Sequence, residues 1–174
     1  MPTIQQAGRI TLVIFCDPNW SLCQKAQANA KAADLNYQAN RSPLTRDPSY
    51  GPATESAKAR AQRAWTREFN RVRATGSAQL HPALGNNPNN YPAGLEEDFT
   101  HPCMENEMNN GQIPTDSQGD ATWAADHRVE CIAGGSTQGP MKMLDSLVNS
   151  AFGGAVAKAV RAGPVHAVQT AGCD

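Results

Sequence analysis

Residues 123–154, WAADHRVECIAGGSTQGPMKMLDSLVNSAFGG, constrain the fold more tightly than any other part of the chain. Residues 125–132 can alternate as a short strand, and a Gly-Gly turn follows at Gly134 and Gly135. After a polar loop, Met141, Leu144, Leu147 and Val148 recur three and four apart, the spacing of one helix face. Pro140 at the start of that helix and Gly153–Gly154 at its end fit the usual placement of these residues. The expected order is therefore strand, turn, loop, helix, with Asp126–His127 at the front and Asn149 on the helix. Adjacent residues on a regular strand point to opposite faces, so Asp126 and His127 reach one point only if the strand ends or bulges there.

These residue types suit one chemistry. Hydrolysing a phosphodiester needs a water, a base to take its proton, and a cation to offset charge on the phosphate and the leaving oxygen. A neutral histidine has its pKa near the working pH and suits the base role. A carboxylate and an amide oxygen are hard ligands, suited to Mg²⁺ or Mn²⁺. The bland alternative is an Asp-His pair in an ordinary surface turn of a non-enzymatic binding or structural module. A Cys/His hydrolase built on Cys103 or Cys131 lacks a nucleophile motif.

The same stretch resembles the HNH group of His-Me finger (ββα-metal) endonucleases. Asp126 and His127 match the Asp-His pair, Gly134–Gly135 the turn, Met141, Met143 and Leu144 the apolar segment, and Asn149 the late ligand, 22 residues after the histidine. Gly153 matches the end. The resemblance covers about thirty of the 174 residues. It departs at Pro140, where the family has a middle Asn, and in lacking paired CxxC knuckles. The resemblance implies an α+β fold, mainly helical, with a ββα-metal core near the C-terminal end. It implies His127 as general base, Asp126 and Asn149 as ligands of a divalent metal (Mg²⁺ or Mn²⁺, with Zn²⁺ the alternative), and DNA as the favoured substrate. Glu130, Asp145 and His101 are candidate supporting residues. A small nuclease core behind a variable lead-in also looks like the C-terminal toxin domains of bacterial polymorphic toxins. That likeness implies an antibacterial effector, delivered by a specialised secretion system and neutralised by a cognate immunity protein.

Charge is distributed unevenly. The net formal charge of −1 provides no global basic field for nucleic acid. Residues 41–73, however, hold eight Lys/Arg against three Asp/Glu, and residues 95–130 hold nine Asp/Glu against one Arg. The basic part coincides with a long helix expected over residues 53–75, whose apolar stripe is Ala57, Ala61, Trp65, Phe69 and Val72. Arg60, Arg63, Arg67 and Arg71 fall within roughly 80° of arc on another face. They are candidates for holding a phosphate backbone, against the ordinary reading of a solvated face. Arg128 and Lys142 are candidates for contact with the scissile phosphate.

Elsewhere, Ile10 to Phe15 (ITLVIF) reads as a buried β-branched strand, followed by a turn in which Asp17 or Asn19 would cap an Ala-rich helix over residues 20–35. Residues 76–119 read as mostly irregular, residues 155–161 as continuing helical beyond the core, and residues 163–174 as a loosely held tail. The expected organisation is a helical lead-in over residues 1–76 and an irregular segment plus nuclease-like core over 77–174, in one unit. Five cysteines without a CxxC pair indicate no structural zinc site. Cys103–Cys131 would staple the acidic stretch to the strand, but free thiols are the favoured expectation. The apolar run at residues 10–16 is too short to span a membrane, and the start does not read as a signal peptide, so a soluble protein is expected.

Overall fold

The apolar run near the start and the last residues of the chain meet in one sheet. The computed structural model describes residues 3–6, 8–74, 101–112, 115, 117–118, 122–137 and 141–174. Strand β1 (Thr3–Gln6) pairs antiparallel with β2 (Arg9–Phe15), and β2 pairs parallel with the final strand β5 (Val165–Ala171). A parallel pair requires a crossover, and here everything between residues 16 and 164 lies within it. The crossover contains α1 (Leu22–Arg41), α2 (Pro52–Ala74), α3 (Pro102–Asn109), β3 (Trp123–His127), β4 (Met141–Asp145) and α4 (Ser146–Ala162). The fold is α+β, with helix outweighing strand, 50% to 21%. No helix among the described residues is long and apolar enough to cross a membrane.

Two clusters of buried side chains hold these elements. The larger joins Ile10, Leu12 and Ile14 of β2 and Val165 and Val168 of β5 to Ala28, Ala32 and Leu35 of α1 and Val148, Phe152 and Val156 of α4. The smaller joins Trp65 of α2 and Met104 of α3 to Trp123, Ala125, Met141 and Met143 of the β3–β4 pair. Burying such side chains contributes about 1.5–3 kcal/mol each relative to exposure. The second cluster therefore fixes how α2 lies against β3.

Several expectations are corrected. Residues 141–145 are a strand, not the first turns of a helix: Met141 and Met143 alternate inward, and β4 pairs with β3 from Trp123↔Asp145 to His127↔Met141. The helix begins only at Ser146, because the Asp145 carboxylate caps it by accepting from Leu147 N (2.9 Å) and Val148 N (3.4 Å). It runs unbroken through Gly153–Gly154 to Ala162, so the helical residues 155–161 belong to the same helix. Strand β3 stops at His127, and residues 131–133 form a 3₁₀ turn. The N-cap of α1 is Ser21, in a capping box with Gln24, not Asp17 or Asn19. Within the stretch read as irregular, Pro102–Asn109 is helical, with Pro at its first position; residues 75–100 lie outside the described residues.

The C-terminal segment is not a loose tail. It forms β5, and Cys173 bonds to Cys16 with Cα atoms 5.2 Å apart. Cys23 bonds to Cys103 at 5.6 Å, tying α1 to α3, and Cys131 alone is free and buried. Neither the free-thiol expectation nor a Cys103–Cys131 pair holds. The bridged positions are 157 and 80 residues apart, and spacing carries no information about contact over such distances.

Candidate functional site

Because β3 ends at His127, the Asp126–His127 pair sits where the chain leaves the sheet. The Gly-Gly turn closes the loop behind it for two steric reasons. Gly134 has φ of 93°, and a Cβ on Gly135 would lie 1.9 Å from Val129 O. The loop thus returns against its own start and brings Thr137 beside His127. His127 Nε2 lies 2.9 Å from Thr137 O. A carbonyl only accepts, so Nε2 carries the proton and Nδ1 of the neutral ring is the acceptor.

Burial lowers the His127 pKa below its ordinary 6.5. The Thr137 hydrogen bond opposes this, while the cations Lys58 and Lys31 add to it. The imidazole is therefore neutral at neutral pH, the state a base requires.

His127 lines a cavity of about 260 Å³ together with Asp126, Glu130, Cys131, Asn149 and Gly153, and with Lys58 and Gln62 of α2. Four residues singled out from sequence, Asp126, His127, Glu130 and Asn149, thus share one space. Asn149 arrives from the first turns of α4, whose start is set by the Asp145 cap. Cys131 shares the cavity, but burial pushes its thiol up and its Sγ faces Ser136 O at 3.9 Å. It is not poised as a thiolate nucleophile, and Cys103 is in a disulfide.

The residue that organises this end of the strand is Lys31, on α1. Its side chain is 5% exposed, and its ammonium lies 2.6 Å from Asp126 Oδ2, 3.2 Å from Glu130 Oε1, 2.6 Å from His127 O and 3.5 Å from Arg128 O. Burial alone would lower the Lys31 pKa, but the two carboxylates outweigh it and hold the group above its usual value. Burial raises the Asp126 carboxyl to about 6, with Lys31 pulling against that shift and Glu130 adding to it. Both oxygens of Glu130 are shielded from solvent and neither receives a well-aligned hydrogen bond among the described residues. Lys31 carries no sequence signal: a lysine within an Ala-rich helix, 95 residues before its partner, reads as solvent-facing.

Other expected site residues lie apart from this cavity. Asp145 does not join it: its carboxylate is spent on the helix cap. Arg128 and Lys142 line a neighbouring cavity of about 380 Å³ with Lys31, Asp34, His101 and Gln27, and Asp126 borders both cavities. Lys142 pairs across the ladder with Asp126, not with His127, so a strand's alternation directs it away from the imidazole. Arg128 Nε is 3.8 Å from Asp34. His101 accepts from Cys103 N at 3.2 Å, and burial lowers its pKa, with Lys142 adding to the shift.

On α2, Arg60, Arg63 and Arg67 are exposed, as their stripe implied; the Arg71 side chain lies outside the described residues. Arg63 and Arg67 border a shallow depression of about 380 Å³ with Ala59, Gln62 and Thr66. Gln62 borders both this depression and the His127 cavity, and its Nε2 donates to Ala125 O at 3.0 Å.

Among the described residues, no three His, Cys, Asp or Glu side chains are grouped as a metal-holding set. Any cation at this cavity would rest on a mixed set that includes the Asn149 amide. Comparisons with protein-family models, with curated proteins and with solved structures return no match.

Proposed function

We propose that this chain is a metal-dependent endonuclease that hydrolyses nucleic acid, DNA favoured, through a ββα-metal core made of β3, β4 and α4. The observation that carries the reading is the neutral, oriented His127 sharing one cavity with Glu130 and Asn149. Two strands and a helix follow one another in the order such a core requires, and the resemblance in residues 123–154 supports the same reading.

The residues fit a hard divalent cation. Glu130 Oε2 is buried with no hydrogen-bond partner among the described residues, Oε1 lies 3.2 Å from the Lys31 ammonium, and Asn149 offers an amide oxygen in the same cavity. Lys31 engages one oxygen of each carboxylate, Asp126 Oδ2 at 2.6 Å and Glu130 Oε1 at 3.2 Å, so Glu130 Oε2 is the oxygen left for a cation. When bound, the cation supplies positive charge against the charge growing on the phosphate and the leaving oxygen. His127 Nδ1 takes the proton of a water in the cavity, and the Thr137 carbonyl stabilises the imidazolium that results through the Nε2–H bond. Mg²⁺ or Mn²⁺ suits these ligands best, with Zn²⁺ the alternative. An unrestrained nuclease would damage its own producer. A role as an antibacterial effector, delivered to a target cell and held in check by an immunity protein, follows from the likeness to toxin domains.

The test is supercoiled plasmid incubated with the protein in Mg²⁺, Mn²⁺ or EDTA, alongside His127→Ala and Asn149→Ala. Cleavage should need the metal. His127→Ala should lose about 10²–10⁴ in rate and gain nothing from more metal, whereas Asn149→Ala should recover partly at high metal. A folded His127→Ala protein that cuts at the wild-type rate refutes the assignment.

A further inference from the structure

Building on the nuclease reading, we infer that α2 is the rail on which the substrate backbone lies, with Lys58 contacting the scissile phosphate and Gln62, Arg63 and Arg67 following the chain to one side of it. Among the described residues, Lys58 is the one Lys or Arg lining the His127 cavity. The cations expected from sequence to serve there, Arg128 and Lys142, line the other cavity.

The rotation of α2 explains the division of labour. Trp65 is 2% exposed and locks the helix face against the β3–β4 pair. Lys58 lies seven residues before it, about two turns, and so shares Trp65's inward direction. It emerges beyond the apolar cluster, where the cavity opens, with its side chain about one-third exposed (31%) and Glu55 only loosely engaged at 4.0 Å. A four-carbon stem ending in a compact, mobile ammonium can meet a phosphate there.

Four residues on, Gln62 is pinned by its bond to Ala125 O and borders both the cavity and the depression beside Arg63 and Arg67. From Lys58 to Arg67 the helix rises about 13 Å, the axial span of about four phosphates of one strand, and turns by about 180°, so the strand crosses α2 obliquely, from Lys58 over Gln62 to Arg63 and Arg67. Contacts of this kind carry register and affinity but no base identity, so cleavage should tolerate any sequence.

The experiment uses the full chain in two assays. A fluorescent 20-base-pair duplex is titrated in EDTA over a range of salt and followed by anisotropy, and single-turnover cleavage is measured at saturating DNA in Mn²⁺. Lys58→Ala, at a half-buried helical position where alanine favours the helix, should lower the single-turnover rate about tenfold or more. Its log–log salt slope should flatten by about 0.9, and Lys58→Arg should restore most of the rate. In Arg63→Ala/Arg67→Ala the larger part of the loss should appear in Kd, with the slope flattened by about 1.8. A folded Lys58→Ala protein with wild-type rate and wild-type slope overturns the rail while leaving the nuclease reading intact. A wild-type protein that binds the duplex but cuts in none of Mg²⁺, Mn²⁺ and Zn²⁺ overturns the nuclease reading instead. The Lys58 slope then decides the binding surface alone: flattened, it stands; unchanged, it falls. A wild-type protein that does neither overturns both.

Discussion

Lys31→Met is the most informative single change in this molecule. Methionine matches the length of the lysine stem but removes the ammonium that sits among Asp126, Glu130 and the carbonyls of His127 and Arg128. Breaking a buried pair by deleting one partner typically costs about 3–5 kcal/mol, because a charge is left stranded. Unfolding entropy of about 2.1 cal/mol/K per residue turns that loss into a Tm drop of roughly 10 °C for a chain of this size.

The cost should also depend on pH. The Asp126 carboxyl has a folded pKa of about 6, above its ordinary 3.8. The proton that favours the folded state is present at low pH and is lost as pH rises through the folded value. Without Lys31 that value rises further. The deficit of Lys31→Met relative to wild type should therefore be small at pH 5 and grow towards pH 8. Urea unfolding at both pH values reads this directly. Adding Asp126→Asn should return part of the loss at pH 8, since one stranded charge is gone. A deficit below about 1 kcal/mol at pH 8, or one equal at both pH values, would mean that Lys31 does not carry the charge balance described here.

Three further outcomes are expected. The acid limb of the cleavage rate against pH should lie below 6.5, because burial depresses the His127 pKa; the same depression means that the histidine's contribution to stability is lost as pH falls through that folded value, which a thermal melt series down to pH 5 checks. Asp145→Ala, which removes the acceptor for Leu147 N and Val148 N, should cost about 1–2 kcal/mol in chemical denaturation. Reduction of Cys16–Cys173 and Cys23–Cys103 by dithiothreitol should lower stability by about 2–5 kcal/mol per bridge, read as a shift in the urea midpoint.

Local pattern decided a good deal by itself. ITLVIF forms a central strand because β-branched and aliphatic residues suit a pleated position with neighbours on both sides. The apolar period of residues 53–75 produces α2 and leaves Arg60, Arg63 and Arg67 exposed. Gly134 and Gly135 form a turn because one takes a positive φ and the other has no room for a Cβ. The grouping of His127 with Asp126, Glu130 and Asn149 was legible as spacing, since it spans only 24 residues at the end of a strand, the following turn and the first turns of α4.

What sequence left undecided depended on partners far along the chain. MKMLD fits a short helix start as well as a strand, and only pairing with residues 123–127 and the Asp145 cap select the strand. The final strand is polar in part, with His166, Gln169 and Thr170, so its apolar signal is weak; β2 supplies its ladder and Cys16 its anchor. Lys31 and Lys58 look like ordinary surface lysines on their helices. Burial among carboxylates gives the first its role, and the packing of Trp65 places the second on the cavity that His127 lines. Periodicity reports which face of an element is apolar, but a charge gains its meaning from the oppositely charged or reacting group that packing brings to it, and that meeting is a property of the folded chain alone.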